Sequence, residues 1–92
     1  MAEDIAVEIR KKLGEKKIII GTDKTIKNLK LGKLEKVYIT KNCPEGKKKN
    51  INYYSKLGKV KVVNLKYTNE ELGIICKKPF SISIASLKKE KI

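Results

Sequence analysis

Histidine and tryptophan are absent from this 92-residue chain, and phenylalanine and methionine occur once each. Without histidine the chain lacks the commonest general base and the commonest zinc ligand, which argues against a hydrolase or a metalloenzyme. Cysteine is limited to Cys43 and Cys76. Two thiols do not complete a tetrahedral metal site, and in a cytosolic chain they read as reduced thiols more readily than as a bridge. No apolar run exceeds three residues, as at Ile18 to Ile20. A membrane span takes roughly 20, and a signal peptide needs an apolar core that residues 1 to 15 do not have. The expectation is a soluble, cytoplasmic chain with no membrane partner, no metal and no cofactor. Arginine is scarce too, Arg10 standing alone among 23 basic residues.

Lysine is what the chain has in excess. Against 10 acidic residues it gives a net charge of +13, in a chain 40% hydrophobic and 36% charged. That composition fits one packed domain under a heavily charged surface and leaves no room for a second core. A surplus of this size on a small domain calls for a polyanionic partner. Nucleic acid is favoured over a membrane surface because no basic amphipathic helix stands out. The charge is uneven: residues 1–46 carry 11 basic and 7 acidic side chains, whereas 47–92 carry 12 and 3.

Helical and strand patterns alternate along the chain. Ile5, Ile9 and Leu13 recur at i, i+4 and i+8 within 3–13, with acids first and bases last, and Gly14 is the expected stop. The β-branched run 17–20 suits a strand buried on both faces of a sheet. Thr22 can cap a helix from about Asp23 to Leu31 that buries Ile26 and Leu29 and stops at Gly32. A second strand is expected at 35–40. The turn at Asn42-Cys43-Pro44 leads to a third helix ending near Leu57 and Gly58, and a third strand follows at 59–65. Thr68 with Glu70 and Glu71 offers a cap for a fourth helix to about Cys76, broken by Pro79. Residues 80–87 alternate apolar and small side chains, as in a strand with one crowded face. The order αβαβαβαβ with short connections gives an α/β fold: a single-domain three-layer α/β/α sandwich over residues 1–87, around a four-stranded mixed sheet. Residues 88–92 are expected to form a frayed basic tail.

The strand-to-helix junction Gly21-Thr22-Asp23-Lys24-Thr25 is the first candidate site. Free N–H groups and the positive end of the helix dipole attract an anion there, and Gly21 lets the backbone come close. Lys24 and Lys27, three apart, can straddle one phosphate groove. A turn glycine beside solvated lysines is an equal reading on local grounds, and the spacing is not that of a nucleotide-binding P-loop. The run Lys47-Lys48-Lys49 reads as a solvated face, and Tyr53 and Tyr54 as packing residues. Glu70 and Glu71 suit a helix start better than acid catalysis. Cys43 has no histidine to hold a thiolate and reads as a structural thiol.

Several of these segments occur together in a known order. Gly21-Thr22-Asp23-Lys24-Thr25-Ile26-Lys27, the turn Thr40-Lys41-Asn42-Cys43-Pro44, Tyr53-Tyr54 with Leu57, and Glu71-Leu72-Gly73 followed by Lys78-Pro79 resemble the archaeal and eukaryotic family of large-subunit ribosomal protein thirty. That family is a branch of the superfamily of small kink-turn RNA binders, and the resemblance runs from about residue 5 to residue 87. It implies an α/β/α sandwich that grips the bent internal loop of a kink-turn, where tandem sheared G·A pairs open the groove. The contacts it implies are Gly21, Asp23, Lys24, Thr25 and Lys27 at the helix start, Asn42 after the second strand, and Leu65, Lys66, Leu72, Gly73 and Ile74 around the fourth helix. Lysines and the helix dipole would hold phosphates, Asn42 would read a base edge, and the apolar group would pack on a splayed-out base. Asp23 departs from the basic residue usual in ribosomal relatives. Lys77 stands where relatives tend to have glycine, so a positive φ there would require the fourth helix to end differently.

The resemblance implies a non-enzymatic constituent of the large ribosomal subunit, bound to a kink-turn in rRNA and beside neighbouring ribosomal proteins, and a monomer when free. The alternative is a kink-turn protein of another particle, a guide-RNA modification complex or ribonuclease P. A small enzyme or nucleotide-binding domain at Gly21 comes third, for want of a base, a metal set and a phosphate loop.

Overall fold

The computed structural model describes residues 2–89, with side-chain environments from residue 5 onward. Four helices alternate with four strands: α1 (Ala2–Gly14), β1 (Ile18–Ile20), α2 (Thr22–Lys30), β2 (Leu34–Ile39), α3 (Glu45–Leu57), β3 (Lys61–Asn64), α4 (Asn69–Ile75) and β4 (Ile84–Lys88). The sheet order is β1-β4-β2-β3. β4 lies antiparallel between β1 and β2, and β3 runs parallel to β2 at the other edge.

Period-two side chains divide the core between the two sheet faces. On one face Ala85, Leu87, Tyr38, Ile18 and Ile20 meet Ile9 of α1 and Leu72 and Ile75 of α4. On the other, Ile84, Val37, Ile39 and Ile19 meet Leu29 of α2 and Ile51 of α3. The three-layer sandwich expected from the alternation is therefore present, and a Cα radius of gyration of 12.0 Å matches the roughly 12 Å of one domain this size. Leu34 shares a face with Val37 although the two are three positions apart. A register shift between Leu34 and Lys36 inserts one residue opposite β4 and turns Leu34 inward. Glu8 ties α1 to the sheet, bonding Lys36 Nζ at 3.2 Å and accepting from Tyr38 Oη at 3.0 Å. Burial and the Glu8 carboxylate both push the Tyr38 phenol above its ordinary value.

Several expectations are corrected. β1 is an edge strand whose isoleucines are half-buried, because only β4 flanks it. β4 begins at Ile84 rather than residue 80 and is central, with both faces covered. Phe80 to Ser83 instead loops over α4, where Ile82 N donates to Asn69 O and Thr40 N to Ser83 O. Lys88 belongs to β4 and donates its N–H to Lys17 O, and Lys89 N donates to Lys33 O, so these two residues are not frayed. The rest of that tail, 90–92, lies outside the described residues. Tyr54 is half-buried, but Tyr53 is 61% exposed and packs only edge-on against it.

All four helices close by the same device. Beyond the last turn one residue takes a positive φ and donates three residues back, while the next donates five back, the Schellman pattern. The pairs are Lys16 to Leu13 with Lys17 to Lys12, Gly32 to Leu29 with Lys33 to Asn28, Lys59 to Lys56 with Val60 to Ser55, and Lys77 to Ile74 with Lys78 to Gly73. Only Gly32 is a glycine; Lys16, Lys59 and Lys77 sit at φ 60, 55 and 57. Gly14 and Gly58, the expected stops of α1 and α3, do not hold the left-handed position, and α4 ends on Lys77 before Pro79 is reached.

Candidate nucleic-acid interface

The ends of β1, β2 and β3 and the start of β4 converge at one end of the sheet, where α2, α3 and α4 all begin. Backbone bonds lock the loops together: Gly21 N to Ile84 O, Lys41 N to Tyr67 O, Leu65 N to Ile39 O and Ile82 N to Asn69 O. A helix start exposes N–H groups with no intrahelical partner, so three such starts in one place make an electropositive end.

The starts of α2 and α3 have no side-chain cap hydrogen bond, whereas the start of α4 has one. Gly21, not Thr22, holds the N-cap position of α2, with φ 113 and ψ 152 and no side-chain cap hydrogen bond. That conformation is confined to glycine, and the first turn of α2 stays open to a ligand. Thr68 caps α4, accepting from Glu71 N at 3.2 Å while Thr68 N donates to Glu71 Oε1 at 2.9 Å. The bond from the Thr68 amide, then the Thr68 side chain, lowers the Glu71 carboxyl below its ordinary value. Asn42 bridges the β2–α3 loop to the same start: its Oδ1 accepts from Asn69 N at 2.8 Å and its Nδ2 donates to Asn69 Oδ1 at 3.2 Å.

A groove of about 770 Å³ opens beside Gly21. Lys16, Lys24, Lys47 and Lys78 line it together with Thr22, Phe80, Ser81 and Ser83, and among the described residues no acidic side chain does. Lys24 and Lys27 are both exposed. They line different hollows, however: Lys27 shares a smaller one with Asp23, Ile26 and Lys30, so the two lysines do not straddle one groove. Lys66 is exposed.

Four of the candidate contacts turn inward. Thr25 is fully buried and shares a 3.1 Å hydrogen bond with Ser86 of β4, because α2 buries Thr25 with Leu29, while Ile26 packs half-buried against the same core. Leu65 and Leu72 belong to the core between the sheet and α1 and α4. Gly73 is buried where a Cβ would stand 2.2 Å from the Phe80 carbonyl oxygen, so the close approach of the loop requires glycine there. Of the expected apolar group only Ile74 is exposed, and it lines a hollow with Lys78, Pro79 and Phe80. Sequence reasoning missed Lys47, Lys78 and Phe80. Phe80 is the single phenylalanine and follows Lys-Lys-Pro, a signal overridden by its place in an apparent strand pattern.

The thiols are structural. Cys43 and Cys76 are free and buried on opposite sides of the sheet. Burial raises both thiols above their ordinary value, for Cys43 in spite of Lys47 and Lys48, so neither is an activated nucleophile. Among the described residues no helix is long and apolar enough to cross a membrane.

Residues 3–91 match the model of the Ribosomal protein L7Ae/L30e/S12e/Gadd45 family. The chain is 40% identical over 79 residues to large ribosomal subunit protein eL30 of Methanothermobacter thermautotrophicus, covering 86% of this chain and 81% of that one. It is 32% identical over 87 residues to eL30 of Sulfolobus acidocaldarius, covering 95% and 84%. Among solved structures, the Giardia lamblia 15.5kD RNA binding protein shares the fold at a TM-score of 0.80 and 18% identity, over 95% of this chain and 72% of that one. Those relatives are named as ribosomal proteins and not as enzymes. The open α2 start, the braced loops and the acid-free lysine groove are thus carried on a chain that belongs to the Ribosomal protein L7Ae/L30e/S12e/Gadd45 family.

Proposed function

We propose that this chain is a constituent of the large ribosomal subunit and grips a kink-turn in its rRNA by the loop end of the sheet. The observation that carries this reading is the uncapped start of α2 at Gly21, beside a groove with four lysines and no acid. Phosphates of the bent strand meet the first-turn N–H groups of α2, with Lys24, Lys47 and Lys78 around them. Lys27 and Lys66 reach phosphates outside the groove. Asn42 retains one amide hydrogen beyond those it shares with Asn69, enough to meet a base edge without releasing the brace. Asp23 accepts from a base amino group or stays a first-turn acid. Ile74 and Phe80 offer exposed apolar surface to a splayed-out base. Thr25, Leu65, Leu72 and Gly73 act behind this surface by fixing the loops. The free protein is monomeric and works in the cytoplasm within the ribosome, among other ribosomal proteins.

A paired binding assay tests the reading. A kink-turn oligonucleotide should bind tightly and more weakly as salt rises, and converting its sheared G·A pairs to Watson–Crick pairs should weaken binding by at least about 100-fold. Equal affinity for the two RNAs rejects it. Co-sedimentation with large subunits, set against co-purification with small guide RNAs, decides between the ribosome and another particle.

A further inference from the structure

The end of the molecule away from the loops carries a second unusual surface. Leu31, just after α2, and Tyr53 and Leu57 on α3 are 56, 61 and 66% exposed. Tyr53 and Leu57 are one turn apart on the same side of α3. Tyr54 lies edge-on to Tyr53, ring centroids 5.2 Å apart, and Lys30 Nζ sits 5.1 Å from the Tyr54 ring centroid. Between the helices a cleft of about 440 Å³ is lined by Leu29, Lys30, Leu31, Tyr54 and Leu57. It lies near the far ends of helices about 13 and 20 Å long, so an occupant leaves the loop end free.

The rim has one sign. After Asp23 no acid occurs on α2, and after Glu45 none occurs on α3, whereas Lys27, Lys30 and Lys56 are exposed there. A second copy would bring lysine against lysine. RNA is also a poor fit. Lys30 already occupies one face of Tyr54, and apart from the Tyr54 hydroxyl and the Lys30 amine no described polar side chain lines the cleft to read a base edge. What complements the surface is an apolar side chain flanked by carboxylates.

We infer that the cleft between α2 and α3 docks a neighbouring protein of the same particle, which inserts an aliphatic or aromatic side chain between Leu31 and Leu57 and sets Asp or Glu against Lys30 and Lys56. The inference rests on the ribosomal reading above. The patch is far smaller than the roughly 20 residues a side of a stable pair, so docking works where the rRNA already holds both partners at high effective concentration.

Photocrosslinking within the subunit tests it. Tyr53→p-benzoylphenylalanine, at an exposed position, is assembled into large subunits and irradiated, and the products are sequenced by mass spectrometry. The expected product joins residue 53 to a ribosomal protein within a few residues of an apolar side chain next to Asp or Glu. Leu31→Asp or Leu57→Asp in the same chain should reduce its yield about fivefold or more, with kink-turn oligonucleotide affinity unchanged. A crosslink to rRNA, to a second copy, to a protein segment without acids, or to nothing in assembled subunits overturns the docking site while the kink-turn reading stands. A chain that neither binds the kink-turn nor co-sediments with large subunits overturns both.

Discussion

The starts of α2 and α4 face the same end of the sheet, follow parallel strand-to-loop connections, and are treated in opposite ways. At α4, Thr68 and Glu71 satisfy each other's backbone and Asn42 takes the Asn69 amide, so the first turn spends its donors within the protein. At α2, Gly21 brings no capping side chain and holds a conformation reserved for glycine. The dipole is similar in both helices. Availability differs: the α2 start leaves its first-turn N–H groups uncapped, whereas the Asn69 and Glu71 N–H groups of α4 are spent on fixing the loops. At their other ends both helices finish on a left-handed residue, Gly32 after α2 and Lys77 after α4, and only the glycine takes that conformation without strain.

Breaking each start in turn gives the largest effect. Gly21→Ala places a side chain at φ 113, a conformation that costs on the order of 2 kcal/mol, although open space surrounds the added Cβ. The backbone relieves that strain by turning the first N–H groups aside. Kink-turn affinity should therefore fall about 30-fold or more, beyond any loss of folded protein. Thr68→Ala should cost about 1 kcal/mol in urea unfolding and leave the affinity of the folded fraction within about twofold. If both variants lose RNA equally, the two starts do not have separate roles.

Acid separates the starts next. Glu71 is held below its ordinary value of 4.5, first by the Thr68 amide and then by the Thr68 side chain. A depressed folded-state value adds stability that is complete above the unfolded value and is lost as pH falls through the folded one. Amide exchange at 69–71 should therefore accelerate on acidification below pH 4.5, relative to exchange elsewhere in the fold. Glu71→Gln should flatten that acid limb, and an unchanged acid limb in the variant would assign the protonation to another group.

Much of this architecture was legible in the chain because burial writes a period. Ile5, Ile9 and Leu13 mark α1, and the Thr68-Glu71 spacing marks the box that closes α4. Side-chain direction was less legible. α2 has two adjacent stripes, and packing on β4 selected Thr25 with Leu29 because the Thr25 hydroxyl finds Ser86. Nothing local to Thr25 encodes that partner, 61 residues away. Phe80 to Ser83 alternates as a strand does, yet Asn69 and Thr40 take its backbone bonds and hold it as a loop. Leu65, Leu72 and Gly73 occupy positions where the family resemblance implies contact, but only tertiary packing reveals that they face inward. Glycine also misled as a helix stop, since the left-handed residue of three helices is a lysine.

That last feature gives the smallest effect and a sharp version of the comparison. Lys77 at φ 57 carries a Cβ where Gly32 at φ 68 has none, in the same pattern of backbone bonds. The left-handed conformation costs a non-glycine residue about 1 to 2 kcal/mol, and the extra freedom of glycine in the unfolded chain returns part of this. Lys77→Gly should therefore stabilise the protein by roughly 0.5 to 1 kcal/mol, raising the thermal midpoint by about 3 to 5 °C. Removing one of 23 basic charges also relieves repulsion in a chain of net charge +13, so charge needs its own control. Lys77→Ala loses the same charge and keeps the strained Cβ. If strain governs the end of α4, only the glycine variant gains, and Gly32→Lys loses about as much at the end of α2. Equal midpoints for the glycine and alanine variants would assign the gain to charge and leave the ends of the two helices energetically alike.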